Sequence, residues 1–241
     1  MRTFLSWLLI LMAGTAEAQF TGKLVYQIDQ NGMRTVMTYI QRGTSAILEA
    51  YTIKLNNGVT DTTTIQPQDT LIFDFAAGTE TNLQFSTMQA YKTKFIGNME
   101  AAAIAARLKG KASISVANVG SASTDGYNCN HYVITSTGPM GAGTRDVWTT
   151  GDIGGSPSLW IVGAHTYWAP GHPTLAQLTG AGASGVVVKA NSSYTKQGLL
   201  YSMNLIYVDT NFKARSPNYF KVLSRYNLVD ETGYSLPGSG N

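Results

Sequence analysis

The chain has 241 residues with 17 basic and 14 acidic side chains, a net charge of +3, and only 13% of its residues are charged. That share is about half the usual one for a soluble domain. The basic residues do not cluster, which argues against a nucleic-acid or anionic-membrane surface, and a single cysteine excludes an internal disulfide or a zinc–thiolate cluster.

Residues 1–18 read as a secretory signal peptide. Arg2 supplies the positive start, Leu5 to Met12 is an almost unbroken apolar run, and Ala16-Glu17-Ala18 sets a cut between Ala18 and Gln19. The apolar run is well short of the roughly 20 residues that span a bilayer. Cleavage leaves residues 19–241 as a single soluble, periplasmic or secreted β-rich domain, with no membrane span and a flexible C-terminal tail beginning near Leu236.

Strands follow at turn-marked intervals. Phe20–Asp29 alternates, with Leu24, Tyr26 and Ile28 on one face. Asn31-Gly32 is a strong hairpin signal, returning Met33–Arg42, and further turns separate Ser45–Lys54, Val59–Ile65, Thr70–Phe75 and Thr81–Ser86. One helix is expected at about residues 98–109. Asn98 can cap it, Glu100 suits its first turn, Met99–Leu108 is rich in helix formers, and Gly110 can stop it. Its stripe of Ala101, Ile104, Ala105 and Leu108 would pack closely on a sheet. Strands resume at Ala112–Val119, Tyr127–Thr137 and Thr144–Thr150. After a Gly-, Pro- and Ala-rich stretch over 154–183 come Gly185–Ala190, Leu199–Val208 and Tyr219–Leu223. The fold class expected is mainly β (α+β): a curved antiparallel sheet or half-barrel packed on one principal helix.

No catalytic set emerges. His131, His165 and His172 are the only histidines, no G-x-S-x-G elbow exists, and the acids lack a facing pair. His165 and His172 are seven residues apart, without the i, i+4 spacing of a helical metal site. Gly180-Ala-Gly182-Ala-Ser-Gly185 matches a dinucleotide fingerprint in letters, but a strand-like Val186-Val187-Val188 follows where a helix is needed. Cys129 sits in an alternating run and reads as a buried strand position. The chain is therefore read as a non-enzyme without cofactor or metal. Aromatic and methionine side chains remain as candidate ligand contacts: Tyr26, Met37, Tyr39, Phe73, Phe85, Ile104 and Trp148. On Thr144–Thr150, alternation places Asp146 and Trp148 on one face and Arg145, Val147 and Thr149 on the other.

Residues 124–153 carry a resemblance. Gly126, Tyr127, Cys129 and Tyr132 form a glycine-aromatic-x-Cys-x-x-Tyr strand, followed by Val147-Trp148 and then Asp152-Ile153. Phe20-x-Gly22-x-Leu-x-Tyr26, Val208-Asp-Thr-Asn-Phe212, Pro217 and Tyr219 extend the match. This pattern resembles domain-of-unknown-function family 4412, exported bacterial envelope proteins similar to the periplasmic lipoprotein carriers of the LolA/LolB type. The resemblance implies a curved antiparallel half-barrel closed by helices over an apolar cavity. It further implies an apolar or amphipathic ligand, such as a lipid or lipoprotein acyl chain. The chain departs from the carriers in having one clear helix where they have more extensive lids. The competing expectation is an envelope protein–protein interaction module with a filled core.

Overall fold

The computed structural model describes residues 20–94, 113–138, 141–154, 180–194, 198–213 and 218–233. The signal segment with its Ala18–Gln19 cut, the helix expected at 98–109 with Ile104, and most of the glycine-rich stretch lie outside them. Thirteen strands are present among the described residues: β1 (Gly22–Gln30), β2 (Met33–Arg42), β3 (Ser45–Asn56), β4 (Val59–Pro67), β5 (Thr70–Asp74), β6 (Thr79–Gln84) and β7 (Gln89–Lys94) in the first half. The second half supplies β8 (Ser113–Thr124), β9 (Tyr127–Gly138), β10 (Gly141–Thr150), β11 (Val186–Tyr194), β12 (Gly198–Asp209) and β13 (Asn227–Asp230).

All thirteen join one open sheet, in the order β13-β7-β6-β5-β3-β2-β1-β12-β11-β10-β9-β8, with β4 paired to the far end of β3. The chain begins in the middle of the sheet and works outward to β7. It restarts at the opposite edge with β8 and works back, and β12 closes the antiparallel pair with β1. The C-terminal segment then adds β13 beyond β7, the one parallel pair in the sheet. Two-residue hairpins set much of the register. Asn31-Gly32, Asn57-Gly58 and Asp125-Gly126 all take positive φ at both positions, the conformation that matches strand twist.

The α+β expectation is thus corrected. The described residues are nearly all β, in one broad open sheet with free edges, and no principal helix stands among them. The reason is long-range pairing. Local signals identify strands singly, whereas the β1–β12 ladder that makes one wide sheet joins residues about 180 positions apart in sequence. Two strands also escaped the local signals. β7 follows a turn without glycine, in which Met88 itself takes φ 53°, and β13 is four residues long. Tyr219–Leu223, expected as a strand, forms turns instead, and Lys221 N–H bonds the Asn218 carbonyl at 3.1 Å.

Alternation gives the sheet two unlike faces. One, the apolar face, carries a continuous buried cluster that includes Leu24, Tyr26 and Ile28 of β1, Met37 and Tyr39 of β2, Leu48 of β3 and Phe73 of β5. It continues through Met203 and Leu205 of β12, Val188 and Ala190 of β11, Val147 of β10, and Tyr132 and Ile134 of β9. The opposite, outer face carries a second apolar region toward β2, β3, β5 and β6. There Ile40, Ile47, Ile72 and Leu83 form a second cluster, covered by Phe212, Tyr219, Phe220, Val222 and Tyr226 of the C-terminal segment.

Candidate functional site

Four of the residues singled out in the sequence come together on the apolar face. Register pairs Tyr26 with Met37, Leu24 with Tyr39, Tyr39 with Leu48, and Ala46 with Phe73. These side chains lie on neighbouring strands and are 0–6% exposed. Phe20 packs beside Tyr39 with ring centroids 6.5 Å apart, and Phe73 stacks on Phe75 at 6.0 Å. Tyr39 donates a 2.6 Å hydrogen bond to Gln41 Oε1, so its phenol is satisfied inside the cluster. Burial raises the Tyr26 phenol far above its ordinary range. It also raises Tyr39, with the neighbouring Tyr26 adding to the effect. Both stay neutral, as an apolar surface requires.

Polar groups also reach this face. Arg145, Thr149 and Ser192 are 4%, 1% and 1% exposed, and register sets Arg145 between Ile134 of β9 and Ser192 of β11. The sequence placed Arg145, Val147 and Thr149 on one face but gave no sign that this face is the buried one. A charged, always-protonated guanidinium in such a position requires acceptors around it. Tyr132, also on this face, donates to the Gly182 carbonyl at 2.9 Å. That bond ties the loop before β11 to the sheet. Gly185 ends the loop with φ 82°, and a β-carbon there would collide with the Thr150 carbonyl oxygen. The third glycine of the apparent dinucleotide fingerprint therefore serves a close backbone approach and leads straight into β11.

The other candidates lie elsewhere. Phe85 is 38% exposed, just beyond β6, and meets Tyr226 edge-on at 6.4 Å. Trp148 is on the outer face, where it is half-buried and packs against the margin of the main hydrophobic cluster. Its indole stacks on His131, with centroids 4.5 Å apart and planes within 5°, and Lys189 Nζ sits 5.7 Å from the indole centroid. His131 Nε2 and Asp146 Oδ1 are 2.9 Å apart. This row follows from register alone, since His131, Trp148 and Lys189 are direct cross-strand partners on β9, β10 and β11. Cys129 is buried, and burial, with Asp152 and Asp125 adding, raises its thiol, so it remains protonated and unreactive.

Among the described residues no group of three or more His, Cys, Asp or Glu side chains is placed to hold a metal ion. No described helix is long and apolar enough to cross a membrane. What the site offers is a wide apolar surface with buried polar insertions, and a separate polar row on the reverse side.

The chain belongs to the DUF4412 family, a domain of unknown function whose model matches residues 20–222. No curated protein matches it significantly. Among solved structures, MucB in complex with MucA(peri) is 12% identical with a TM-score of 0.38, and MucB alone is 11% identical with a TM-score of 0.39. Each match covers 93% of this chain, which spans 61% and 64% of those two chains. An exported protein from Bacteroides fragilis, described as having a YmcC-like fold, is 11% identical with a TM-score of 0.28. That match covers 79% of this chain and 97% of the other.

Proposed function

We propose that this protein acts in the cell envelope, exported through its signal segment and soluble after cleavage at Ala18–Gln19. We read it as a non-enzymatic protein that holds an apolar or amphipathic ligand, such as an acyl chain, against the apolar face of its sheet. The supporting observation is the extent and composition of that face. Its buried cluster runs without a break across eight strands of the one sheet formed by the described residues. Tyr26, Met37, Tyr39 and Phe73 form its most aromatic part, and Arg145, Thr149 and Ser192 give it polar points suited to an amphipathic molecule. Affinity would come from apolar burial, at about 25 cal/mol per Å². Native mass spectrometry of the purified mature chain should find co-purified lipid, and a fluorescent fatty acid should bind and be displaced by unlabelled acid. Absence of both would refute the reading.

A second reading, an envelope protein–protein interaction module, is favoured by one specific feature. Strand β8 is an edge of twelve residues with no charge and no proline, and most of its side chains are exposed. Such an edge is a template for pairing with another strand. Under this reading Ser115→Lys should abolish capture of an envelope partner while fatty-acid binding stays unchanged.

A further inference from the structure

A depression of about 350 Å³ lies between β8 and β9, lined by Ser121, Ala122, Ser123, Asn128, Cys129 and Asn130. Register pairs Ser121 with Asn130 and Ser123 with Asn128. Alternate residues of a strand share a face, so Asn128 and Asn130 project on the side of Tyr132 and Ile134, and their partners Ser121 and Ser123 do the same. The depression therefore sets two amides and two hydroxyls at the margin of the apolar face. Ser121, Ser123 and Asn128 are exposed, so it opens to solvent.

These polar groups pass directly into the apolar cluster. The Asn130 side chain hydrogen-bonds the Tyr132 phenol, which donates in turn to the Gly182 carbonyl at 2.9 Å, so Asn130 is held at the boundary. Its partner on β10 is Thr149, 1% exposed, whose hydroxyl has no hydrogen-bond partner. A buried hydroxyl left unpaired is costly, and an acceptor on a ligand would relieve it. Beyond Thr149 comes the buried Val187 of β11. From β9 to β2, which carries Met37 and Tyr39, is five strand spacings, about 24 Å, close to the length of a long acyl chain. No side chain lining the depression is charged. Asp125 and Asp152 add to burial in raising the Cys129 thiol, and the same field disfavours an anion there.

We infer that the β8–β9 depression receives the headgroup of the apolar-face ligand, and that this headgroup is uncharged and hydroxyl-bearing, as in a monoacylglycerol. The inference rests on the proposed apolar-ligand surface and adds the orientation and class of what lies on it. Amides and hydroxyls both donate and accept, as a glycerol headgroup does. The glycerol hydroxyls bond Asn128 and Ser121, and the ester carbonyl accepts from Thr149. The acyl chain then runs over the cluster toward Tyr26 and Tyr39.

The test compares lipids of one chain length and different headgroups. Mature protein loaded with a fluorescent fatty acid is titrated with 1-monooleoylglycerol, oleate and oleoyl lysophosphatidic acid, each below its aggregation concentration. The monoacylglycerol should displace the probe at about tenfold lower concentration than either anion. The double variant Ser121→Ala with Asn128→Ala changes only exposed side chains, so its melting temperature and oleate affinity should stay the same while the preference is lost. Thr149→Val, which keeps the shape and removes the hydroxyl, should reduce the preference as well. No displacement by any of the three lipids would refute the apolar-face reading and this inference with it. Equal or tighter binding of either anion, or a preference that survives in either variant, would overturn the headgroup site alone and leave the apolar-face reading standing.

Discussion

The outer face of the sheet is built in two ways at its two ends. Toward β2, β3 and β5 it presents Ile40, Ile47 and Ile72 in direct register, and the C-terminal segment lays Phe212, Tyr219, Phe220 and Val222 over them. Toward β9, β10 and β11 the same face presents His131, Trp148 and Lys189, with Asp146 and Asn191 in the neighbouring row. Between the two ends lie Gln27, Asp29 and Arg34, whose guanidinium grips Asp29 through Nε at 2.8 Å and Nη2 at 3.0 Å. What differs is whether the chain supplies a cover, and the side chains follow the cover. Where a layer arrives, the face is aliphatic; where none of the described residues arrives, it is polar and cross-linked by stacking and hydrogen bonds. The apolar face, by contrast, is mainly aliphatic and aromatic from β5 to β9, with Arg145, Thr149 and Ser192 set into it.

This difference predicts a graded response to truncation. The largest effect belongs to the apolar face. Phe73→Ala and Tyr132→Ala each remove a side chain with no exposure and should cost about 3–5 kcal/mol in denaturant unfolding. Next comes the covered end of the outer face, where Ile47→Ala should cost about 2–4 kcal/mol. The uncovered end should respond far less. Trp148→Ala loses one stacked pair and one cation–π contact on a partly exposed row, which is about 1–2 kcal/mol. An equal loss at Ile47 and Trp148 would dissolve the distinction between the two ends.

Alkaline pH sharpens the same comparison. Burial, and then the adjacent Glu49 that accepts its hydroxyl at 3.2 Å, pushes the Tyr219 phenol up to about 12. The folded value exceeds the unfolded value of 10.0, so the folded state holds its proton where the unfolded state has lost it. This group's effect on stability is therefore nil below the unfolded pKa, and stability falls as pH rises from there toward about 12. A stability profile in Tyr219→Phe that is flatter above the unfolded pKa is the expected result. The smallest effect is at the middle of the outer face. Arg34→Ala removes a partly buried surface pair and should cost about 1 kcal/mol or less, diminishing with added salt.

The sequence made the strands and their faces legible to different degrees. Period-two alternation placed Leu24, Tyr26 and Ile28 together, and Asn31-Gly32 fixed the first hairpin, because both signals are local. Alternation likewise separated Trp148 from Arg145 and Val147. It could not say which side is buried: β10 reads Thr-Arg-Asp-Val-Trp-Thr-Thr, and its charged Arg145 belongs to the interior while its tryptophan faces outward. That assignment depends on which strands flank β10, namely the His131 and Lys189 partners on one side and Ile134 and Ser192 on the other. The His131–Trp148 stack was equally hidden, since its members are seventeen residues apart and meet only through register. The same holds for the C-terminal cover. Tyr219–Leu223 carries strand-like residues, yet its role is to pack as turns on Ile40, Ile47 and Ile72.

The central claim is that the apolar face is where a ligand is held, and mapping a bound lipid tests it most directly. Mature protein loaded with a photo-crosslinkable fatty acid, irradiated and digested, should yield adducts concentrated in peptides that carry Tyr26, Met37, Tyr39 and Phe73. Competition by unlabelled acid should remove them. Adducts confined to outer-face peptides, such as those containing Trp148 or Tyr219, or no competable adduct at all, would contradict the account.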